Sequence, residues 1–159
     1  MKYQVKNIIQ AAKDGDINIL AHQANCFNMM GAGVAGAIAA NFPEAAIADS
    51  YTPKGARTKL GSFSSEYLPD FDLTIYNLYG QYSPGYCGTS THLEESIRKM
   101  VQDILSRTDQ DIRIGIPKMG CGIAGGNWDE YSKRIEVALA PLSVNTTVFV
   151  LDESEVPYE

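Results

Sequence analysis

Histidine is scarce in this 159-residue chain, which has only His22 and His92. With no Cys-x-x-Cys pair, a zinc site would have to be assembled from very few ligands, so no metal is expected. Cysteine is nearly as rare. Cys26, Cys87 and Cys121 are odd in number and far apart, which argues against a disulfide framework and for a reducing, cytoplasmic setting. Positive charge is also in deficit. Against 19 Asp and Glu stand 13 Lys and Arg, a net charge of −6. Without a basic cluster, non-specific nucleic-acid or membrane-surface binding is not expected. No apolar run reaches the roughly 18 residues of a membrane span, and Met1–Gln10 lacks the form of a signal peptide.

The sequence does contain the makings of a globular α/β domain. Hydrophobic residues form 45% of the chain and charged residues 20%, a balance that excludes disorder for its bulk. Short apolar runs predict strands at Val5–Ile9, Ile17–Ala21, Ser65–Leu68, Leu73–Leu78, Ile112–Ile116 and Thr147–Leu151. Helical spacing predicts Ala37–Asn41, stopped by Pro43, and a second short helix over Ala45–Tyr51. The clearest helix is Leu93–Leu105. There Leu93, Ile97, Met100, Val101, Ile104 and Leu105 share a face, and Thr91 with Glu94 suggests a capping box. Asn127 is a candidate cap for a helix bearing Trp128, Tyr131, Ile135 and Leu139 on one side. Residues 52–61 read as an exposed polar loop, and Glu153–Glu159 as a loosely held tail. Alternating strands and helices point to one α/β domain over 1–159, with a mixed, mostly parallel sheet covered on both faces.

Two segments match G-x-G-x-x-G: Gly31-x-Gly33-x-x-Gly36 and Gly120-x-Gly122-x-x-Gly125. Each falls between an expected strand and an expected helix. Glycine lets backbone approach a phosphate closely, and a helix start offers unpaired N–H groups with partial positive charge. An anion can thus be held without Lys or Arg, as suits an acidic chain. One such match is as readily a tight turn; two at equivalent junctions suggest a diphosphate gripped from both sides, most simply in a nucleotide derivative. Neither run continues as Gly-Lys-Ser/Thr, which excludes a P-loop.

The stretch from His22-Gln23-Ala24-Asn25 through Met30-Gly31-Ala32-Gly33-Val34-Ala35-Gly36-Ala37-Ile38 resembles the macro domain family, whose fold binds ADP-ribose. Ile116–Trp128 is similar to that family's second diphosphate loop. Asn77-Leu78-Tyr79-Gly80-Gln81 resembles a strand end of the branch that includes ADP-ribose-1''-phosphate phosphatases and the terminal ADP-ribose protein glycohydrolase. The resemblance implies a three-layer α/β/α sandwich with an ADP-ribose cleft and no resident cofactor. It implies that Asn25 contacts the distal ribose and that Gly31, Ala32, Gly33 and Val34 form one phosphate loop. The other would be Met119, Gly120, Cys121, Gly122, Ile123, Ala124 and Gly125. Leu151 and Asp152 would lie near adenine. Asn7, with Ile8 beside it, stands where many members carry an adenine-binding Asp; Asp16 is the alternative.

Two departures bear on catalysis. The glycohydrolase branch uses a Lys in the third loop and an Asp in the second glycine loop. Here no Lys occurs from Tyr76 to His92, and Ala124 stands at the Asp position. Gly126 also replaces an aromatic that often flanks the distal ribose, for which Tyr82, Tyr86 or Trp128 could substitute. The resemblance therefore implies hydrolysis of an ADP-ribose derivative, first of all ADP-ribose-1''-phosphate. His22 is the candidate acid/base, because free imidazole titrates near neutrality, and Asn25 the ribose-fixing partner. The competing readings are a structural His22 in a non-catalytic ADP-ribose reader, or removal of ADP-ribose from modified protein or nucleic acid. Tyr82 and Tyr86 are candidates for a lid.

Overall fold

The computed structural model describes residues 1–84, 90–107, 111–121 and 125–157. In chain order the elements are β1 (Lys2–Val5), α1 (Ile8–Lys13), β2 (Ile19–Asn25), α2 (Gly33–Asn41), α3 (Pro43–Ser50), β3 (Phe63–Leu68) and β4 (Leu73–Gln81). There follow α4 (Ser90–Leu105), β5 (Ile114–Ile116), α5 (Trp128–Leu139) and β6 (Thr146–Val150). The six strands form one sheet in the order β1-β6-β5-β2-β4-β3. All neighbours are parallel except β3, which runs antiparallel to β4.

Alternation along the central strands sends successive side chains to opposite faces. Leu20, Leu73 and Ile75 join Ile9, Ile38 and Phe42 beneath α1, α2 and α3. Ile19, Ala21, Tyr76 and Leu78 join Ile97, Met100, Ile135 and Leu139 beneath α4 and α5. The expected mixed α/β sandwich is thus the observed one, and the ends of the parallel strands are free to carry a ligand site.

Some boundaries differ from the sequence expectation. The first strand stops at Val5, because Asn7 Oδ1 accepts the amides of Ile9 and Gln10 and turns the chain into α1. Ile8 and Ile9 are therefore buried helical residues. Strand β2 runs on through the polar His22, Gln23 and Asn25, because β4 continues the ladder beside it and side chains from β4 meet His22 and Gln23. Pro43 divides α2 from α3 and occupies the first turn of α3, where its missing N–H costs nothing. Helix α4 begins at Ser90, which puts Thr91 inside the helix rather than at its cap. Asn127 caps α5 as expected, accepting the Glu130 amide. The segment after β6 is held more firmly than expected: Asp152 and Glu155 form a reciprocal capping box around the turn at Glu153–Glu155.

Leu105, expected on the buried face of α4, is 51% exposed, whereas Ile97 is fully buried. Ile97→Ala should therefore cost about 3 kcal/mol, the range for a truncated core aliphatic. Leu105→Ala should cost less than about 0.5 kcal/mol beyond helix propensity. Urea unfolding of the two variants measures the difference.

Candidate functional site

A cleft of about 550 Å³ opens at the carboxyl ends of β2, β4, β5 and β6. Its walls bring together both glycine segments, Gly31–Ala35 on one side and Pro117–Cys121 on the other. The end of β2 (His22–Asn25), Gln81 of β4 and Phe149–Leu151 complete the described lining together with Met29, Pro84 and Glu155. A volume of this size suits a nucleotide-sized ligand.

The first wall is built by close packing. A Cβ on Gly36 would lie 3.0 Å from the Gly31 carbonyl carbon, so only glycine lets α2 rest directly on the turn before it. Ala32 is the N-cap of α2 and provides no side-chain hydrogen bond. The amides of the first turn are consequently without a side-chain cap where the helix opens on the cleft. In the second wall Gly120 has a φ of +77°, and a Cβ there would approach Tyr131 to 2.3 Å. Tyr131 of α5 thus fixes how close that turn lies to the core. Among the described lining residues Lys118 is the one permanent cation, so the backbone has to supply most of the attraction for an anion.

Asn25 organises the loop after β2. Its Oδ1 accepts the Phe27 amide at 2.9 Å and its Nδ2 donates to the Met29 carbonyl at 2.8 Å. Behind that loop lies a buried polar cluster that sequence reasoning missed. Lys59 was expected in an exposed loop but is 5% exposed, and its Nζ donates to the Cys26 carbonyl and to Asn28 Oδ1. Asn28 adopts the left-handed conformation, φ +56°. Tyr79 donates to Asp49 Oδ1 at 2.6 Å, and Lys59 Nζ sits 4.7 Å from its ring centre. Burial raises the Asp49 carboxyl pKa and lowers that of Lys59, while their mutual attraction opposes both shifts. The partners of Lys59 lie 31 and 33 residues away, a separation that no local pattern reveals.

Other expected site residues fall elsewhere. Asn7 and Ile8 do not line the cleft; the Asn7 oxygen is occupied in capping α1. Asp16 pairs with Lys6. Tyr82 is also outside the lining. It packs edge-on against Phe27, donates to the Gly55 carbonyl and lies under Arg57, so it anchors the 55–57 segment rather than covering the cleft. Leu151 lines the cleft, but Asp152 does not and instead caps the turn after β6. Trp128 donates to the Tyr3 hydroxyl. Gly125 follows the second wall with a φ of +80°; Tyr86, Gly122, Ile123 and Ala124 lie outside the described residues. Cys121 lines the cleft, whereas Cys26 is buried and its thiol pKa is pushed up by burial.

His22 is 1% exposed, with Nε2 2.6 Å from Asn77 Oδ1. Burial lowers its pKa from 6.5 to about 4, opposed by Asn77 and the Gln23 backbone. It is therefore a neutral imidazole near pH 7, not the titrating acid expected from its type. The unfolded chain binds this proton from about pH 6.5 downward and the folded chain only near pH 4, so His22 costs stability progressively as pH falls through that window. Urea unfolding at pH 7.5 and 4.5 should show His22→Asn losing about 2 kcal/mol less than the wild type on acidification.

The comparisons with known proteins agree with this geometry. A family model described as Macro domain matches residues 21–135. An uncharacterised 17.5 kDa protein in the tk-vs intergenic region of Enterobacteria phage T4 is 32% identical over 153 residues, covering 87% of this chain and 94% of that protein. Among solved structures, the macrodomain of Thermus aquaticus DarG superposes with a TM-score of 0.73 at 22% identity, covering 95% of this chain and 97% of the other. Thermosipho africanus DarTG in complex with ADP-ribose superposes with a TM-score of 0.75 at 14% identity, over 99% of this chain and 43% of that one. With the family model spanning most of the sheet and both walls of the cleft meeting over it, this chain belongs to the macro domain family.

Proposed function

We propose that the cleft binds ADP-ribose, with the diphosphate between the two glycine-bearing walls. The observation that carries this reading is that both walls, 82 or more residues apart in sequence, line one nucleotide-sized cleft whose described lining holds a single cation. Bare amides at the start of α2 suit a phosphate oxygen better than they suit water, since the helix dipole adds to their hydrogen bonds. Adenine goes to the end formed by Phe149–Leu151, where the 73% exposed Leu151 offers an apolar edge. The distal ribose goes toward Asn25, which keeps one N–H and one lone pair beyond its loop contacts.

A second reading adds turnover, with ADP-ribose-1''-phosphate as substrate. Water attacks phosphorus, the bond between phosphorus and the C1'' oxygen breaks, and ADP-ribose and inorganic phosphate leave. What favours it is the position of His22 on the cleft wall, three residues before Asn25 on the same strand. Removal of ADP-ribose from modified macromolecules is the alternative in the same cleft, and a non-catalytic reader is the outcome without turnover.

Adding ADP-ribose at about 100 times its Kd should stabilise the protein by about 2.7 kcal/mol, read as a rise in Tm. No rise sinks the nucleotide reading. Gly33 has a φ of +59°, so Gly33→Val strains the first wall and should weaken binding by at least about tenfold in calorimetry. Release of phosphate from ADP-ribose-1''-phosphate, compared among wild type, His22→Ala and Asn25→Ala, separates turnover from binding alone.

A further inference from the structure

The hydrogens of the His22–Asn77 pair follow from the heavy atoms. Asn77 is fully buried, and its Nδ2 lies 3.0 Å from the Ala45 carbonyl oxygen and 3.0 Å from Ser64 Oγ. A carbonyl only accepts, so the atom facing it must be the amide nitrogen. The Asn77 oxygen therefore faces His22 Nε2 at 2.6 Å. An amide oxygen also only accepts, so Nε2 carries a proton. In the neutral ring Nδ1 is then a bare lone pair. That atom is buried and has no hydrogen-bond partner among the described residues. The residue itself lies on the cleft wall.

A buried acceptor left without a donor costs about 1–3 kcal/mol. Of the neighbouring polar side chains, Asn77 is engaged with Ala45 and Ser64, and Tyr79 with Asp49 and Ser64; the other polar group beside the ring is the Gln23 backbone. The ionisable side chains on elements packed against this face of β2 are Asp49 of α3, Tyr79 of β4 and Lys59 ahead of β3. Lys59 donates to Cys26 and Asn28. None of these hydrogen bonds involves the imidazole.

We propose that Asn77 is a positioning residue that fixes His22 as the Nε2–H tautomer, so that Nδ1 accepts a hydrogen bond from an O–H group in the cleft. The donor is a ribose hydroxyl or a water held beneath the ligand. This rests on the ADP-ribose reading and gives His22 the reverse of an acid's role: Nδ1 receives a hydrogen and has none to give. It makes Asn77, a residue of the neighbouring strand, responsible for the direction of that bond.

The test uses ¹⁵N-labelled protein carrying His92→Gln, in which His22 is the sole imidazole. Long-range ¹⁵N–¹H spectra should show Nε2 protonated and Nδ1 unprotonated between about pH 5 and 8. A shift of the Nδ1 resonance with ADP-ribose but not with ADP identifies a distal-ribose hydroxyl as the donor. A resonance already of the hydrogen-bonded type, unmoved by either ligand, identifies water. A proton on Nδ1, or a bare Nδ1 in every state while ADP-ribose still raises Tm, overturns the proposal. No Tm rise at all is the separate failure of the ADP-ribose reading. The variant Asn77→Asp keeps an acceptor for Nε2 but adds a charge that favours the imidazolium. Its ADP-ribose affinity should fall roughly tenfold from pH 8 to pH 5, because Nδ1 then carries a proton. Wild-type affinity should stay level over that range. A merely structural Asn77 would leave the variant's affinity equally changed at both ends, which also overturns the proposal.

Discussion

The site depends on one close approach: helix α2 lies directly on the turn at Gly31 because Gly36 has no side chain to hold it away. From that contact follow the position of the bare helix start, the shape of the first wall and the room left for a ligand above β2. The opposite wall uses the same device with a different partner, since Gly120 sits against Tyr131 where no Cβ fits. Each wall is thus referenced to a helix on its own side of the sheet. The sheet fixes the distance between the helices, and the cleft is the gap that remains.

Much of the polar content near the cleft is directed inward. Asn25 ties down its own loop, and Lys59 holds the carbonyl of Cys26 together with Asn28. Tyr79 and Asp49 form a further layer behind Lys59. Burying an ammonium and a carboxylate is expensive unless hydrogen bonds surround them, and here they are surrounded by the backbone and side chains that shape the first loop. These interactions fix the conformation of a segment that has little regular structure of its own.

The readable parts of the sequence were those governed by short-range physics. The glycine spacing, the cap at Asn127 and the apolar stripe of α4 are local signals, and each corresponds to an observed element. Local pattern misleads where a distant partner decides the outcome. Ile8 and Ile9 are the local exception: they look like the end of a strand although the cap that turns the chain into α1, Asn7, stands next to them. Lys59 looks solvated because its partners lie beyond any local window. His22 looks like a titrating group because residue type carries no information on burial. The two glycine walls were legible as separate turns, whereas their meeting over one cleft is a property of strand order, with β5 and β2 adjacent in the sheet despite the chain that separates them.

The uncapped start of α2 has a thermodynamic corollary. A helix lacking its terminal hydrogen-bond acceptor is less stable than its length would suggest, and fraying begins at that end. An anion seated there supplies the missing acceptor from outside the chain. Occupancy of the cleft and the order of the first helical turn are then linked quantities, and slowed amide exchange at Val34 and Ala35 would report on both.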